Sequence, residues 1–151
     1  MNKLKAIDVI NNLNLIPLEG EGGFFRQTWA SEDGTAIYYL VTEDSWSALH
    51  ILDVNEVWHF YAGDSLKQIQ LKPDGTAEVF LIGSKINEGE LPQLVCPSGI
   101  WQSTRLIDGG SWALVGTTTS PPYNDDSIKF PNIEKLMAEY SGYADLIKDF
   151  I

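Results

Sequence analysis

The sequence predicts an all-β protein, an antiparallel sandwich or barrel, with a short helix at each end. From Gly23 to about Thr119, short runs rich in aromatic and β-branched residues alternate with turn signals, and no helical pattern separates them. The pairs Asp33-Gly34 and Asp74-Gly75 are typical of hairpin turns, because glycine tolerates the positive φ that tight turns need. The chain has 151 residues, of which 44% are hydrophobic, so it can bury a sizeable core in one domain.

Each predicted element follows from the spacing of its apolar residues. We expect eight or nine strands, in the runs FFRQTWA, AIYYLVT, WSALHIL, VWHFYA, LKQIQL, AEVFLI, PQLVC, WQST and SWALVGTTT. Helical spacing occurs near the N-terminus and again after the proline pair at 121–122, in the sets Leu4, Ile7, Ile10 and Leu13, and Ile133, Leu136, Met137 and Tyr140. We expect these helices to cap the barrel. No linker or repeat divides the chain, so residues 1–151 are predicted to be one domain.

Charge and cysteine content exclude several functions. A net charge of −11 argues against binding to a nucleic-acid backbone, which requires clustered Lys and Arg. Cys96 is the single cysteine, so an internal disulfide is impossible and a reducing compartment is expected. The sequence has no apolar run typical of a signal peptide or a membrane span. We therefore expect a soluble cytoplasmic protein with no membrane partner.

The stretch SALHILDVNEVWHFYAGD contains both histidines of the chain and a glutamate between them. Because alternate residues of a strand share a face, Glu56, Trp58 and Phe60 are predicted to lie on one side, and His59 on the other. A carboxylate beside two aromatic rings indicates an aromatic-lined pocket. His50 reaches the same pocket if its strand is a neighbour, whereas His59 joins it only through a bulge.

This stretch resembles the first sequence motif of the cupin superfamily, His-x-His followed by Glu and then Gly. His50, Glu56 and Gly63 match, and Leu52 replaces the second histidine. The segment PSGIWQ is similar to the second cupin motif, but Gln102 stands in place of its histidine. Four pieces, EGGFFRQTW, NEVWHFYAGD, PQLVCPSGIWQ and SWALVGTTTSPPY, resemble the cupin type five family, whose function is largely uncharacterised. The resemblance spans roughly residues 15–123 and implies a double-stranded β-helix, a jelly roll with an internal pocket, often dimeric.

The resemblance leaves two kinds of chemistry open for this pocket. A cupin metal site uses three histidines and a glutamate, and this chain offers only His50, Glu56 and the weak amide ligand Gln102 for Fe, Mn, Ni or Zn. Some metal-free cupin epimerases that act on sugar nucleotides use a pocket histidine as base, and the resemblance makes His50 a candidate for that base, with Glu56 as its orienting partner or acid. The alternative is that His50 is a hydrogen-bonded residue of the barrel wall. We therefore expect a pocket for a sugar or a small polar or anionic ligand, with metal-independent isomerase or epimerase activity. The alternatives are a metal-dependent dioxygenase or isomerase and a non-catalytic binding or storage module.

Other residues complete the predicted ligand site. Arg26, among aromatic residues, is either an anion clamp or the partner of a carboxylate such as Glu56. Trp58, Phe60 and Gln102 are expected to line the pocket, with Thr117 as a hydroxyl donor and His59 as a weaker candidate. Apolar residues on both faces of AIYYLVT and VWHFYA predict a second copy of the chain, because a sheet with two apolar faces needs cover on both.

Overall fold

The protein consists of two antiparallel sheets with short helices, in a computed structural model that describes residues 3–151. Two single-turn 3-10 helices, Ile86–Glu88 and Ser141–Tyr143, accompany the main elements. The main elements, in chain order, are α1 Ala6–Leu13, β1 Ile16–Pro17, β2 Phe24–Ala30, β3 Thr35–Thr42, β4 Ser47–Leu52, β5 Asn55–Gly63, β6 Leu66–Leu71, β7 Ala77–Ile82, β8 Gln93–Cys96, β9 Trp101–Leu106, β10 Trp112–Ser120, β11 Ile128–Lys129, α2 Ile133–Glu139 and α3 Ala144–Lys148.

The two sheets face each other and enclose the interior of the barrel. One sheet has the order β1-β2-β3-β10-β5-β8 and the other has the order β11-β4-β9-β6-β7. Strand β10 lies between β3 and β5 and pairs with β3 along its length, from Trp112 opposite Thr42 to Thr119 opposite Thr35. The predicted all-β class is confirmed.

The interior core and the two outer faces of the sheets are built from different sets of residues. Inward-facing side chains of both sheets form the central core, which includes Tyr39, Trp58, Leu66, Ile82 and Val115. On the outer face of the five-stranded sheet, Ile69 and Leu71 pack against residues of the C-terminal helices, among them Leu136, Tyr140, Ile147 and Phe150. The C-terminal helices therefore cover a sheet face and do not cap the end of the barrel as expected.

Helix α1 covers part of the outer face of the six-stranded sheet. Val9 of this helix packs with Leu15, Leu40 and Trp112. Its buried side is Ala6, Val9, Ile10 and Leu13, whereas the predicted Leu4 and Ile7 are 51% and 55% exposed. The helix begins only at Ala6, so Leu4 lies outside it and the apolar stripe is displaced around the helix. Within residues 3–151, no helix is both long and apolar enough to cross a membrane.

Candidate functional site

A cavity of about 410 Å³ lies between the two sheets and opens to solvent at one end. Its wall combines side chains of β2, β3, β5 and β10 from one sheet and of β4 and β11 from the other with the irregular segments 18–21 and 123–125 and with Phe130, which follows β11. The lining is aromatic and acidic. It contains Phe25, Tyr39, Trp58, Tyr123 and Phe130, the acidic residues Glu19, Glu21, Glu56 and Asp125, and the hydroxyl or amide residues Gln27, Thr35, Thr117, Thr119 and Asn124.

Glu56 is the buried carboxyl group of this cavity and is 8% exposed. Its Oε1 accepts two hydrogen bonds, from Trp58 Nε1 at 3.1 Å and from Gln102 Nε2 at 3.1 Å. Burial raises the pKa of Glu56 to about 7, the negative charge of Glu21 adds to the rise, and His50, Gln102 and Thr117 oppose it. At neutral pH this carboxyl group is therefore present in both its protonated and its ionised form.

Glu21 is the second carboxylate of the site, and its position depends on two glycines. Gly22 and Gly23 have φ of 103° and 73°, and a Cβ on Gly22 would lie 2.1 Å from the Trp46 carbonyl oxygen. This close approach, which only glycine permits, places Glu21 against β4. There the Ala48 amide donates to the Glu21 carbonyl at 2.9 Å, and Ser47 Oγ donates to Glu21 Oε2 at 2.8 Å.

His50 lies in the wall behind the cavity and is 1% exposed. Its Nδ1 donates to the Ala48 carbonyl at 2.7 Å, and its Nε2 lies 3.9 Å from Glu21 Oε1. On the adjacent strand β9, Gln102 is its register partner. The imidazole is thus oriented toward Glu21, and it contacts the cavity through that carboxylate.

The other predicted site residues are divided between the two faces of the six-stranded sheet. Trp58 and Thr117 line the cavity with Glu56, while Phe60 packs against the central core. Gln102 is buried and bridges the sheets, because its Oε1 accepts from Trp58 Nε1 at 3.2 Å and its Nε2 donates to Glu56.

His59 and Arg26 lie on the outer face of the same sheet. His59 Nε2 is 3.3 Å from Thr118 Oγ1, as strict alternation along β5 requires. The Arg26 guanidinium is exposed and lies 5.3 Å from the centre of the Tyr38 ring. The expected placement of Arg26 in the pocket is corrected, because Phe25 and Gln27 take the inward positions of β2.

The residues expected to bind a metal do not form a metal site. Residues 3–151 contain no group of at least three His, Cys, Asp or Glu side chains that could hold an ion. The amide oxygen of Gln102 already accepts from Trp58, and the second ring nitrogen of His50, Nε2, lies 3.9 Å from Glu21 Oε1 in the wall behind the cavity. The donor set of His50, Glu56 and Gln102 therefore does not fit Fe, Mn, Ni or Zn, which prefer several free imidazole and carboxylate ligands.

A second polar region, which the sequence did not predict, lies in the same interior. Gln68 and Gln70 point inward from β6 and are fully or almost fully buried. Gln68 Nε2 donates to Thr104 Oγ1 at 2.8 Å, and Gln70 Nε2 donates to Gln68 Oε1 at 2.9 Å and to the Val95 carbonyl at 3.1 Å. Through its bond to the Val95 carbonyl of β8, Gln70 joins the two sheets as Gln102 does, and the region contains neutral groups only.

The fold and the lined cavity define a cupin-type jelly roll, and comparison with known proteins identifies its family. Residues 7–130 match the model of the Cupin_5 family, described as "Cupin superfamily (DUF985)", and the chain belongs to this family. The uncharacterized protein YML079W of Saccharomyces cerevisiae is 26% identical over 121 residues, which are 66% of this chain and 60% of the yeast protein. This chain therefore spans only part of the length of that relative.

Solved structures show the same fold. Protein SO0799 from Shewanella oneidensis superimposes with a TM-score of 0.90 and 28% identity, covering 98% of each chain. A hypothetical protein from Leishmania major gives a TM-score of 0.89 and 26% identity, covering 97% of this chain and 98% of the other. Oxalate decarboxylase from Bacillus subtilis gives a TM-score of 0.62 and 15% identity over 92% of this chain and 37% of its own, a likeness of fold alone.

Proposed function

We propose that the cavity binds a small polyhydroxylated molecule of the sugar class and that Glu56 exchanges a proton with it without a metal. The carrying observation is the position of Glu56, a carboxyl group more than nine-tenths buried on the wall of a 410 Å³ cavity with aromatic rings beside it. Aromatic faces pack on the C–H faces of sugars, while threonine, glutamine and asparagine side chains pair with hydroxyl groups. A cavity of this size accommodates a monosaccharide.

The chemistry that fits one such carboxyl group is isomerisation. The ionised Glu56 takes a proton from the hydroxyl-bearing carbon next to a carbonyl, and the electron pair forms the C=C bond of an enediolate. The hydroxyl proton then moves to the former carbonyl oxygen, a new carbonyl forms at the deprotonated carbon, and Glu56 returns its proton to the former carbonyl carbon. No electrons are gained or lost overall and no co-reactant is needed. A carboxyl group with a pKa of about 7 supplies both the base and the acid at neutral pH.

His50 then acts as a positioning residue in place of the base role expected from the sequence. Its imidazole is 1% exposed and is separated from the cavity by Glu21. It fixes the orientation of Glu21, and its interaction with Glu56 opposes the rise in the pKa of that carboxyl group. Replacement of His50 by Ala is expected to abolish activity through the loss of this arrangement.

Deuterium exchange tests the proposed function directly. The protein is incubated with a panel of aldoses and ketoses in D2O, with and without a chelator, and deuterium at the carbon next to the carbonyl is followed by proton NMR. We expect exchange with at least one sugar, unchanged by the chelator, lost in Glu56→Gln and retained in Glu88→Gln, which changes an exposed glutamate. Exchange that persists in Glu56→Gln, or requires a metal, would contradict the proposal.

We also propose that a second copy of this chain covers the outer face of the six-stranded sheet. On this face Tyr61 and Val95 are 53% and 52% exposed, and Tyr38 packs edge-on against Tyr61. Light scattering after gel filtration is expected to give a dimer for the parent chain and for Leu81→Lys, and a monomer for Tyr61→Lys. Leu81 is a matched control because it is an exposed apolar residue of the other sheet. A monomeric parent chain would contradict this proposal.

The proposed compartment is the cytoplasm. Cys96 is a free, buried cysteine, and burial, aided by the charge of Glu56, raises the pKa of its thiol, so the group stays protonated and unreactive. A protein without an internal disulfide suits a reducing compartment. Fractionation of cells that express the tagged protein tests this, and recovery with membranes or in the medium would contradict it.

A further inference from the structure

We propose that the ligand of this cavity carries a protonated amino group, so that the substrate class is an amino sugar. This inference rests on the proposed function and adds the charge of the ligand to it. The observation that carries it is the composition of the cavity wall. Four acidic residues line it, Glu19, Glu21, Glu56 and Asp125, and none of its described lining residues is Lys or Arg.

The acidic side chains act on one another through the cavity. The charge of Glu21 raises the pKa of Glu56, Tyr39 and Tyr123, in each case after burial, and Asp125 also raises that of Tyr123. The charge of Glu21 therefore acts on three other groups of the cavity wall, which is partly shielded from water. A cation that enters is attracted by the same charges, and an anion is repelled.

Basic side chains near the cavity do not remove this negative charge. His50 is in contact with Glu21 at 3.9 Å, but it lies behind the wall and is 1% exposed, so its ring is not available to a ligand. Arg26, the cation expected from the sequence to hold an anionic ligand, lies on the outer face of the sheet over Tyr38. The arrangement thus favours a cationic ligand over the small anionic ligand that the sequence analysis also allowed.

The remaining wall suits an amino group attached to a hydroxylated carbon chain. Aromatic rings attract an ammonium group over their faces, and the cavity presents several, with Tyr123 and Phe130 in the segment at its mouth. Thr117, Thr119 and Gln27 offer hydrogen bonds to hydroxyl groups. Acidic groups, aromatic rings and neutral polar groups within one cavity provide the three kinds of contact that an amino sugar requires.

Binding of three matched probes tests the inference. Glucamine, sorbitol and gluconate share a hydroxylated six-carbon chain, and their terminal groups are cationic, neutral and anionic. By isothermal titration calorimetry at neutral pH, we expect glucamine to bind at least about tenfold more tightly than sorbitol, and gluconate to bind most weakly. Added NaCl should weaken glucamine binding more than sorbitol binding, because salt screens the attraction.

Variants at the mouth separate charge from shape. In the double variant Glu19→Gln and Asp125→Asn, which changes two exposed residues, the ratio of glucamine to sorbitol affinity should fall toward one. The exposed control Glu88→Gln should keep the parent ratio. Equal binding of glucamine and sorbitol would overturn the inference and leave the proposed function standing. Failure of all three probes to bind would contradict polyol binding itself, and tighter binding of gluconate would reverse the assigned charge.

Discussion

Two polar regions share the interior of this barrel, and they differ in how their groups are satisfied. In the amide region, which consists of Gln68, Gln70 and Thr104, neutral donors and acceptors pair with one another or with a backbone carbonyl. In the carboxylate region, which consists of Glu21, Glu56 and His50, two acids and one partner lie beside an open cavity. Both regions are buried, yet only the second contains groups that titrate.

This difference indicates that the amide region stabilises the fold and that the carboxylate region has a functional role. A neutral network with every group paired fixes the distance between the sheets and stabilises the fold. Burial of a carboxyl group beside a second carboxylate raises its pKa, and the ionised form then destabilises the fold at neutral pH. Buried titratable groups that destabilise the fold beside a cavity indicate a functional site. Fully hydrogen-bonded neutral groups away from the cavity indicate a structural role.

The largest expected effect is in the amide region. Gln68→Ala removes the donor to Thr104 and the acceptor of Gln70, and leaves a void where a fully buried side chain lay. We expect the free energy of unfolding to fall by about 4 kcal/mol, equally at all pH values, because no group involved titrates. Urea unfolding across pH measures this. A loss that varies with pH would show that the two regions are coupled.

In the carboxylate region, we expect a substitution to increase the free energy of unfolding and not to lower it. The folded state raises the pKa of Glu56 from 4.5 to about 7, so between these values it binds more protons than the unfolded state, and stability falls as pH rises through this window. Glu56→Gln keeps an acceptor for Trp58 and Gln102 but cannot ionise. Above pH 7 we expect the variant to be more stable than the parent chain by up to about 3 kcal/mol, while its activity is lost.

The comparison with the parent chain has a built-in reference at low pH. Below about pH 4.5 Glu56 is protonated in both states, so the stability difference should disappear there. Glu88→Gln, which removes an exposed carboxylate, should show no such pH-dependent gain. If Glu56→Gln were less stable than the parent chain at pH 8, the carboxylate would be a stabilising group and the comparison would be wrong.

The smallest effect is expected for a neutral group that lines the cavity beside the carboxylate region. Tyr39 donates its hydroxyl hydrogen bond to the Gly22 carbonyl at 2.6 Å, and burial, aided by Glu21, holds its pKa well above 10. Tyr39→Phe should lower the free energy of unfolding by about 1 kcal/mol, with no dependence on pH between about 5 and 9. The same urea titrations measure it, and a pH-dependent loss would show that Tyr39 shares protons with the carboxylates.

Much of the fold could be predicted from the sequence because its signals are local. The hairpin glycines and the aromatic runs located nine of the eleven strands within residues 3–151, β2 to β10, and missed only the two-residue strands β1 and β11. Alternation in VWHFYA separated Glu56 and Trp58 from His59. The positions of the helices were harder to predict. The apolar face of a helix must pack against another surface, but the helix sequence does not identify that surface. An amphipathic C-terminal helix can cap the end of the barrel or cover the outer face of a sheet. The packing of Leu136 against Ile69 and Leu71 shows that it covers the five-stranded sheet.

The interior residues that the sequence analysis missed lie where sequence patterns normally indicate exposed positions. LKQIQL alternates polar and apolar residues, which ordinarily assigns the glutamines to solvent, but here a helix layer covers Ile69 and Leu71 and the glutamines face inward. Glu21 precedes two glycines, a pattern that is typical of an exposed turn. Its contact with β4 depends on a tertiary approach of Gly22 to Trp46 that spacing along the chain does not encode. The pair of glycines after a glutamate was the available signal.

The protonation state of Glu56 is the centre of this account, and carbon-13 NMR of the glutamate side-chain carboxyl groups measures it residue by residue. With Glu56→Gln to assign the signal, we expect a midpoint near pH 7 for Glu56, and a lower midpoint in Glu21→Gln because a neighbouring negative charge is removed. A midpoint at or below 4.5, unchanged in Glu21→Gln, would show an ordinary carboxylate and would contradict both the contrast between the two regions and the proton-exchange role.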